Sequence, residues 1–128
     1  MRVLLDTHTF LWWIDDNPVL SGVARDILAD SQNEIFISAA TGWEIAIKSA
    51  LGRLSVEGDP ERFFPEQMTL NSFQALPIEM SHALHTFHLP DHHRDPFDRL
   101  LISQCQIEEL PLVTKDPSIG KYEVEIIW

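Results

Sequence analysis

Basic residues are scarce in this chain: nine lysines and arginines stand against twenty aspartates and glutamates, a formal charge of −11. Proteins that grip nucleic acid through a broad basic surface carry the opposite balance, so that class is disfavoured. An enzyme that works through divalent cations is not excluded, because bound metal neutralises carboxylates and bridges to phosphate. An acidic surface also suits a basic protein partner. Cysteine is nearly absent. Cys105 stands alone, which excludes an internal disulfide and makes a reducing cytoplasm the expected compartment. No apolar run approaches the roughly twenty residues of a membrane span, and no signal-peptide pattern opens the chain, so no membrane partner is expected. Repeats, linkers and low-complexity stretches are missing. The length fits one domain with a single core, expected to occupy residues 1–128.

What is present alternates between strand and helix. Residues 2–5 read as a short buried strand, and Thr7 can cap the helix that follows. Phe10 to Ile14 make that helix apolar nearly all round, and Asp15 to Pro18 break it. Ser21 caps a second helix with Val23, Ala24, Ile27 and Leu28 on one stripe. Residues 34–37 form the next strand. A third helix starts at Ser38 or Thr41 and stops at Gly52. Residues 60–71 look helical, with a break expected at Pro65. Leu76-Pro77-Ile78 reads as a third strand, Ser81 to His88 as a short helix, and Pro96 to Glu109 as the clearest helix in the chain. Leu110 to Thr114 and Glu123 to Ile127 supply the last strands. This order predicts an α/β domain whose largely parallel sheet is covered on both faces.

Four carboxylates sit where strands end or helices begin: Asp6, Glu44, Asp98 and Asp116. In a parallel sheet such positions converge outside the carboxyl ends of the strands. Carboxylates gathered in one cleft must shift their pKa values or bind cations. All-oxygen ligands suit Mg²⁺ or Mn²⁺, which points to metal-dependent phosphodiester chemistry.

Each acid also has an ordinary role. Asp6 fits a helix cap, although Thr7 can do that work. Thr41-Gly42-Trp43-Glu44 matches a capping box, in which Glu44 reaches back to the Thr41 amide. If Ser38 is the cap, Glu44 lies deeper and is free to face the cleft; Lys48, four residues on, offers it a helical ion pair. Asp95 with Pro96 is ordinary capping chemistry, which leaves Asp98 available in the first turn. Asp116 before Pro117 suits a turn. As a site residue it would bind metal directly or through water, with Thr114 holding a carboxylate or that water by hydrogen bond.

Six histidines include His82, His85, His88, His92 and His93, clustered in sequence, but no two make a known zinc pattern such as His-Glu-x-x-His. Most are expected in loops or at the surface. Trp12, Trp13 and Trp43 are expected in the core or at an interface, and Cys105 as a buried small hydrophobe.

The segments Leu4-Leu5-Asp6-Thr7-His8, Ser38 to Ile45, His93 to Leu101 and Leu112 to Asp116 together resemble the PIN domain. They are closer still to the VapC-type ribonuclease toxins of toxin–antitoxin pairs. Each motif alone is weak; their order and spacing span nearly the whole chain. The resemblance implies a three-layer α/β/α sandwich around a mainly parallel sheet of four to five strands. It implies an Mg²⁺- or Mn²⁺-dependent endoribonuclease with Asp6, Glu44, Asp98 and Asp116 as its acidic quartet and Asp95 in support. It also implies a homodimer and a cognate antitoxin that covers the site. The chain departs from an ordinary RNA-binding protein in its acidity; Lys48, Arg53, Arg94, Arg99 and Lys115 lie near the motifs and are the expected phosphate contacts. The alternative is a non-catalytic PIN-like module whose acidic pocket binds a basic peptide. A phospho-acceptor receiver fits less well, since its first strand typically ends in an acidic pair and Asp6 lies between Leu5 and Thr7.

Overall fold

A computed structural model describes all residues from Met1 to Trp128. The apolar run Val3-Leu4-Leu5 becomes the central strand β1 (Arg2–Leu5), fully buried after Arg2. It pairs in parallel with β2 (Glu34–Ser38) on one side and β4 (Leu112–Val113) on the other. The edges are β3 (Gln74–Leu76) beside β2 and β5 (Ile126–Ile127) beside β4, also parallel. The order is therefore β3-β2-β1-β4-β5. The chain winds outward from β1 in one direction through β2 and β3, and in the other through β4 and β5. That reversal puts the topological switch point between β1 and β4, where a parallel sheet opens a crevice.

Alternation along the strands divides the core into two layers. Val3, Leu5, Ile35, Ile37 and Val113 face one side, against Phe10 of α1 (Thr7–Ile14) and Ala24 and Leu28 of α2 (Gly22–Ala29). Leu4, Phe36 and Leu112 face the other, against Leu101, Ile102 and Cys105 of α6 (Pro96–Glu108). Helix α3 (Ala39–Ala50) contributes Ile45 to the first cluster and Ala40 to the second. Helices cover both faces, as the sequence predicts. Burial pushes the Cys105 thiol far above its ordinary range, in keeping with an inert packing role. No helix is long and apolar enough to cross a membrane.

Several local expectations are corrected. Helix α4 (Pro60–Leu70) runs through Pro65 without a break. Pro65 lies just past the first turn, so the bond it forfeits is the one to the Glu61 carbonyl, at an exposed position. Strand β3 ends at Leu76 rather than containing Pro77, which has no amide hydrogen for the ladder. The short helix α5 (Met80–His85) starts one residue before Ser81, with Glu79 as N-cap, and a 3₁₀ turn (Thr86–His88) follows it. The Glu79 amide donates to His82 Nδ1 at 2.9 Å. His82 is accordingly 1 % exposed and not a surface residue. Its Nε2 reaches Glu108 at 2.9 Å, so burial is matched by partners on both ring nitrogens. Strands β4 and β5 are shorter than expected, because Pro111 cannot donate and the chain around Glu123 is bent.

Candidate functional site

The switch point gathers side chains from four separate stretches. Asp6 leaves β1 and is itself the N-cap of α1, correcting the expectation that Thr7 fills that role. One carboxylate oxygen accepts the Thr9 amide at 2.8 Å; the other accepts the Thr114 hydroxyl at 2.6 Å. Capping and facing the cleft are therefore not alternatives for Asp6, since the two oxygens divide the work. Thr114, just past β4, also accepts the Asp116 amide at 3.1 Å, so one hydroxyl ties the two acidic segments together.

Ser38, not Thr41, caps α3, by accepting the Ala40 amide at 2.9 Å. It also donates to Gln104 Oε1 of α6 at 2.6 Å, which locks the start of α3 against α6. With the cap there, Glu44 lies more than a turn inside the helix and is 3 % exposed. The Thr7 hydroxyl lies 2.7 Å from Glu44 Oε1 and 3.1 Å from the Thr41 hydroxyl. Its single proton goes to the stronger acceptor, the carboxylate. Lys48 forms an ion pair with the other oxygen. The helical pair foreseen for Lys48 is thus made, but to a buried acid at the cleft rather than on an exposed face.

Asp95 caps α6 by accepting the Phe97 amide at 2.8 Å, and Asp98 stands in the first turn. Burial pushes the Asp98 carboxyl up to about 7; the negative fields of Asp95, Asp6 and Glu44 add to that, and His93 opposes it. Asp98 thus combines partial burial with the charge of three other acids, both of which disfavour its ionised form. Asp116 caps the 3₁₀ turn Pro117–Lys121. Although partial desolvation pushes the other way, hydrogen bonds from the Ser118 hydroxyl and amide and from His93 hold it below its ordinary value.

His93 is the residue that sequence reasoning missed. Its Nε2 lies 3.0 Å from Asp98 Oδ2 and 3.1 Å from Asp116 Oδ2. No spacing rule finds it, because its two partners come from another helix and another turn. The available signal was its position in the His93 to Leu101 motif. A ligand atom from each of His93, Asp98 and Asp116 lies within 4.8 Å of the others, close enough for one ion. The donor chemistry fits a hard divalent cation: carboxylate oxygens, one of them held ionised and one electrostatically starved.

The five expected phosphate contacts divide. Lys48 is engaged by Glu44. Arg99 is committed to the fold: its guanidinium donates to the carbonyls of Thr86, Leu89, Pro90 and His93 and approaches the Tyr122 hydroxyl. Its Nη donors are thus taken up by the loop, which leaves Arg99 less free to meet a phosphate than the exposed basic residues. Arg53, Arg94 and Lys115 are exposed. Arg99→Lys keeps the charge but loses the planar fork. The expected result is a loss of about 1–3 kcal/mol in stability, with faster amide exchange confined to the 86–95 loop. Exchange unchanged in that loop would show that the fork is not what orders it.

Among the tryptophans, Trp43 is 60 % exposed, its ring edge-on to Phe97 at 5.3 Å, so it is not a core residue. Trp12 lies between His8 and Trp128, and Trp13 Nε1 donates to Asn71 at 2.9 Å. The larger clefts lie elsewhere. One of about 670 Å³ lies between the end of α3 and the start of α4, and none of the four acids lines it. The acidic site is an open edge of the sheet.

Comparison with known proteins agrees with this fold. The family model described as the PIN domain matches residues 3–125. A curated relative, Ribonuclease VapC16 of Mycobacterium tuberculosis, is 34 % identical over 61 residues. That match covers 48 % of this chain and 43 % of the relative, less than half the length of either. Among solved structures, VapBC2 of Rickettsia felis bound to a promoter DNA fragment superposes with a TM-score of 0.72 at 16 % identity, over 99 % of this chain and 98 % of that one. A toxin–antitoxin complex of Klebsiella pneumoniae gives 0.64 at 17 % identity, over 98 % and 96 %. FitAcB of Neisseria gonorrhoeae gives 0.61 at 19 % identity, over 100 % and 97 %. At these identities the structures speak to the fold.

Proposed function

The chain belongs to the PIN-domain family, and from that premise we propose that it is a divalent-metal-dependent endoribonuclease, the toxin of a toxin–antitoxin pair. One observation carries the reading. Asp98, half-buried and pushed up to about 7, feels the charges of Asp95, Asp6 and Glu44 at the sheet's switch point. Such an arrangement is electrostatically costly unless a cation completes it. The curated relative is named a ribonuclease, and the Klebsiella pneumoniae neighbour is named a toxin–antitoxin complex, which supports the activity and the antitoxin partner.

In this reading residues 1–128 act as one domain, and Asp6, Asp98 and Asp116 hold Mg²⁺ or Mn²⁺. Bound there, the cation would supply Lewis acidity to the phosphoryl oxygens and lower the pKa of a nearby water. Thr114 fixes the Asp6 carboxylate, and Thr7 and Lys48 fix Glu44, so neither has to reorganise when substrate arrives. Glu44 orients the attacking water. Asp95 keeps the first turn of α6 in register and, by its charge, disposes Asp98 to take a cation. Exposed Arg53, Arg94 and Lys115 contact RNA phosphates. Exposed Trp43, Leu84 and Phe87 offer apolar surface to a protein partner, assigned here to the homodimer.

Incubating the purified chain with a mixed RNA pool tests this. Cleavage is expected with Mn²⁺ and not with EDTA, leaving 5′-phosphate and 3′-hydroxyl ends. Cyclic-phosphate ends would mean attack by the RNA's own 2′-hydroxyl and would sink the mechanism. No cleavage by folded, partner-free protein would favour the module that binds a basic peptide in its acidic pocket.

A further inference from the structure

We propose that Ser118 is a positioning residue that limits Asp116 to one oxygen for a divalent cation, and so disposes the site toward a small octahedral ion over calcium. This rests on the metal-site reading above and names what selects among cations there. The Ser118 amide donates to Asp116 Oδ1 at 2.9 Å, and the Ser118 hydroxyl donates to the same oxygen at 2.7 Å. Neither role can be reversed, because an amide has no acceptor and a carboxylate has no hydrogen to give back. A carboxylate oxygen offers about two lone-pair sites, so these two donors fill Oδ1. Oδ2 is the oxygen left for an ion, and it faces the right way. Asp116 Oδ2 and Asp98 Oδ2 lie 3.1 and 3.0 Å from the same ring nitrogen of His93, so both oxygens turn toward one point.

The backbone on either side of this carboxylate is fastened. Upstream, the Asp116 amide donates to the Thr114 hydroxyl at 3.1 Å. Downstream, the turn Pro117–Lys121 is anchored by Ile119, which is fully buried in the core layer under α6. The Ile119 amide donates to the Asp116 carbonyl at 3.3 Å, and the Ile119 carbonyl accepts the Tyr122 amide at 3.0 Å. With the main chain held, Oδ1 can join Oδ2 on an ion only by giving up its bonds to Ser118. That matters differently to different cations. Mg²⁺ takes near-ideal octahedral geometry with one oxygen per carboxylate, whereas Ca²⁺ takes about six to eight oxygens and readily uses both oxygens of one carboxylate. A one-oxygen Asp116 thus withholds a ligand from Ca²⁺ and none from Mg²⁺.

Calorimetric titration with Mg²⁺ and, separately, with Ca²⁺ tests this without reference to activity. Ser118→Ala keeps the amide bond but removes the hydroxyl, which frees one lone pair of Oδ1. The ratio of the two affinities is expected to move about fivefold toward Ca²⁺. Ser118→Thr keeps the hydroxyl and is expected to restore the native ratio. A hydroxyl that only stiffened the turn would change both affinities by the same factor, so an unmoved ratio in Ser118→Ala overturns the proposal. Asp116→Asn separates this from the metal-site reading. If it leaves Mg²⁺ affinity intact, Asp116 is no ligand and both readings fall; if it weakens Mg²⁺ binding while the Ser118→Ala ratio stays put, only the role of Ser118 falls. A second measurement works on the native chain and does not depend on how well Ser118→Ala folds. In infrared difference spectra taken with and without Mg²⁺, the carboxylate bands that Asp116→Asn removes are expected to show the wide stretching separation of one-oxygen ligation. The narrow separation of two-oxygen ligation there would refute the proposal.

Discussion

Asp6→Asn is expected to lower RNA cleavage by at least about a hundredfold while leaving the fold within about 1 kcal/mol of the native chain. The structure explains why these two effects separate. Asn retains the carbonyl oxygen that accepts the Thr9 amide, so the cap of α1 survives. Its amide group turns toward Thr114, whose hydroxyl reverses from donor to acceptor. What disappears is the negative charge, the only property that distinguishes a cation ligand from a cap. Asp6→Ala is the contrasting variant: it also removes the cap and leaves the Thr114 hydroxyl without its acceptor, costing about 1–2 kcal/mol. Cleavage assayed beside a thermal melt checks the pair. Retained activity in Asp6→Asn would remove Asp6 from the site.

Asp98→Asn should have the opposite signature, a gain in stability. The native carboxyl is pushed up to about 7, above its ordinary value, by burial first and then by the charges of Asp95, Asp6 and Glu44. Between those two values the folded chain binds this proton more tightly than the unfolded chain. The group's contribution to stability is therefore present at low pH, falls as pH rises through that window, and is gone above about 7. At pH 8 without divalent cation, the native chain holds an ionised carboxylate where burial disfavours it. Asn relieves this and is expected to add roughly 1–3 kcal/mol, a gain that shrinks toward pH 4. Addition of Mn²⁺ should reverse the ranking: the native chain gains in Tm by ligand linkage and the variant does not. Equal melting at pH 8 would mean that water already solvates Asp98 well enough. An equal Mn²⁺ response would mean that the ion binds elsewhere.

Individual residues mark how far the sequence could be read. The run Val3-Leu4-Leu5 ending in Asp6 announces a buried strand with an acid at its carboxyl end, because apolar length and a polar stop are local facts. The start of α6 at Asp95-Pro96 is equally local, since capping chemistry is written in neighbouring residues. Ser38 and Thr41 could not be ranked as caps of α3 on the same grounds: both have the right hydroxyl. Gln104, sixty-six residues away, accepts from Ser38 and helps fix the choice. Pro65 misled because its cost depends on which carbonyl loses a partner, and here that carbonyl lies in an exposed first turn.

By itself, then, the sequence determined what depends on periodicity and near neighbours: a parallel α/β arrangement, four acids at strand and helix ends, and the order of motifs that implied the family. The tertiary structure alone decided what depends on convergence. Asp6 divides its two oxygens between a cap and Thr114, Arg99 turns its Nη donors inward to hold a loop, and His93 comes to rest between Asp98 and Asp116. Each of these contacts joins residues on separate elements, and its geometry follows from how the sheet's two windings meet at β1 and β4. Local pattern carries no record of that meeting, because a side chain's donors and acceptors are fixed by its type while their partners are fixed by the packing.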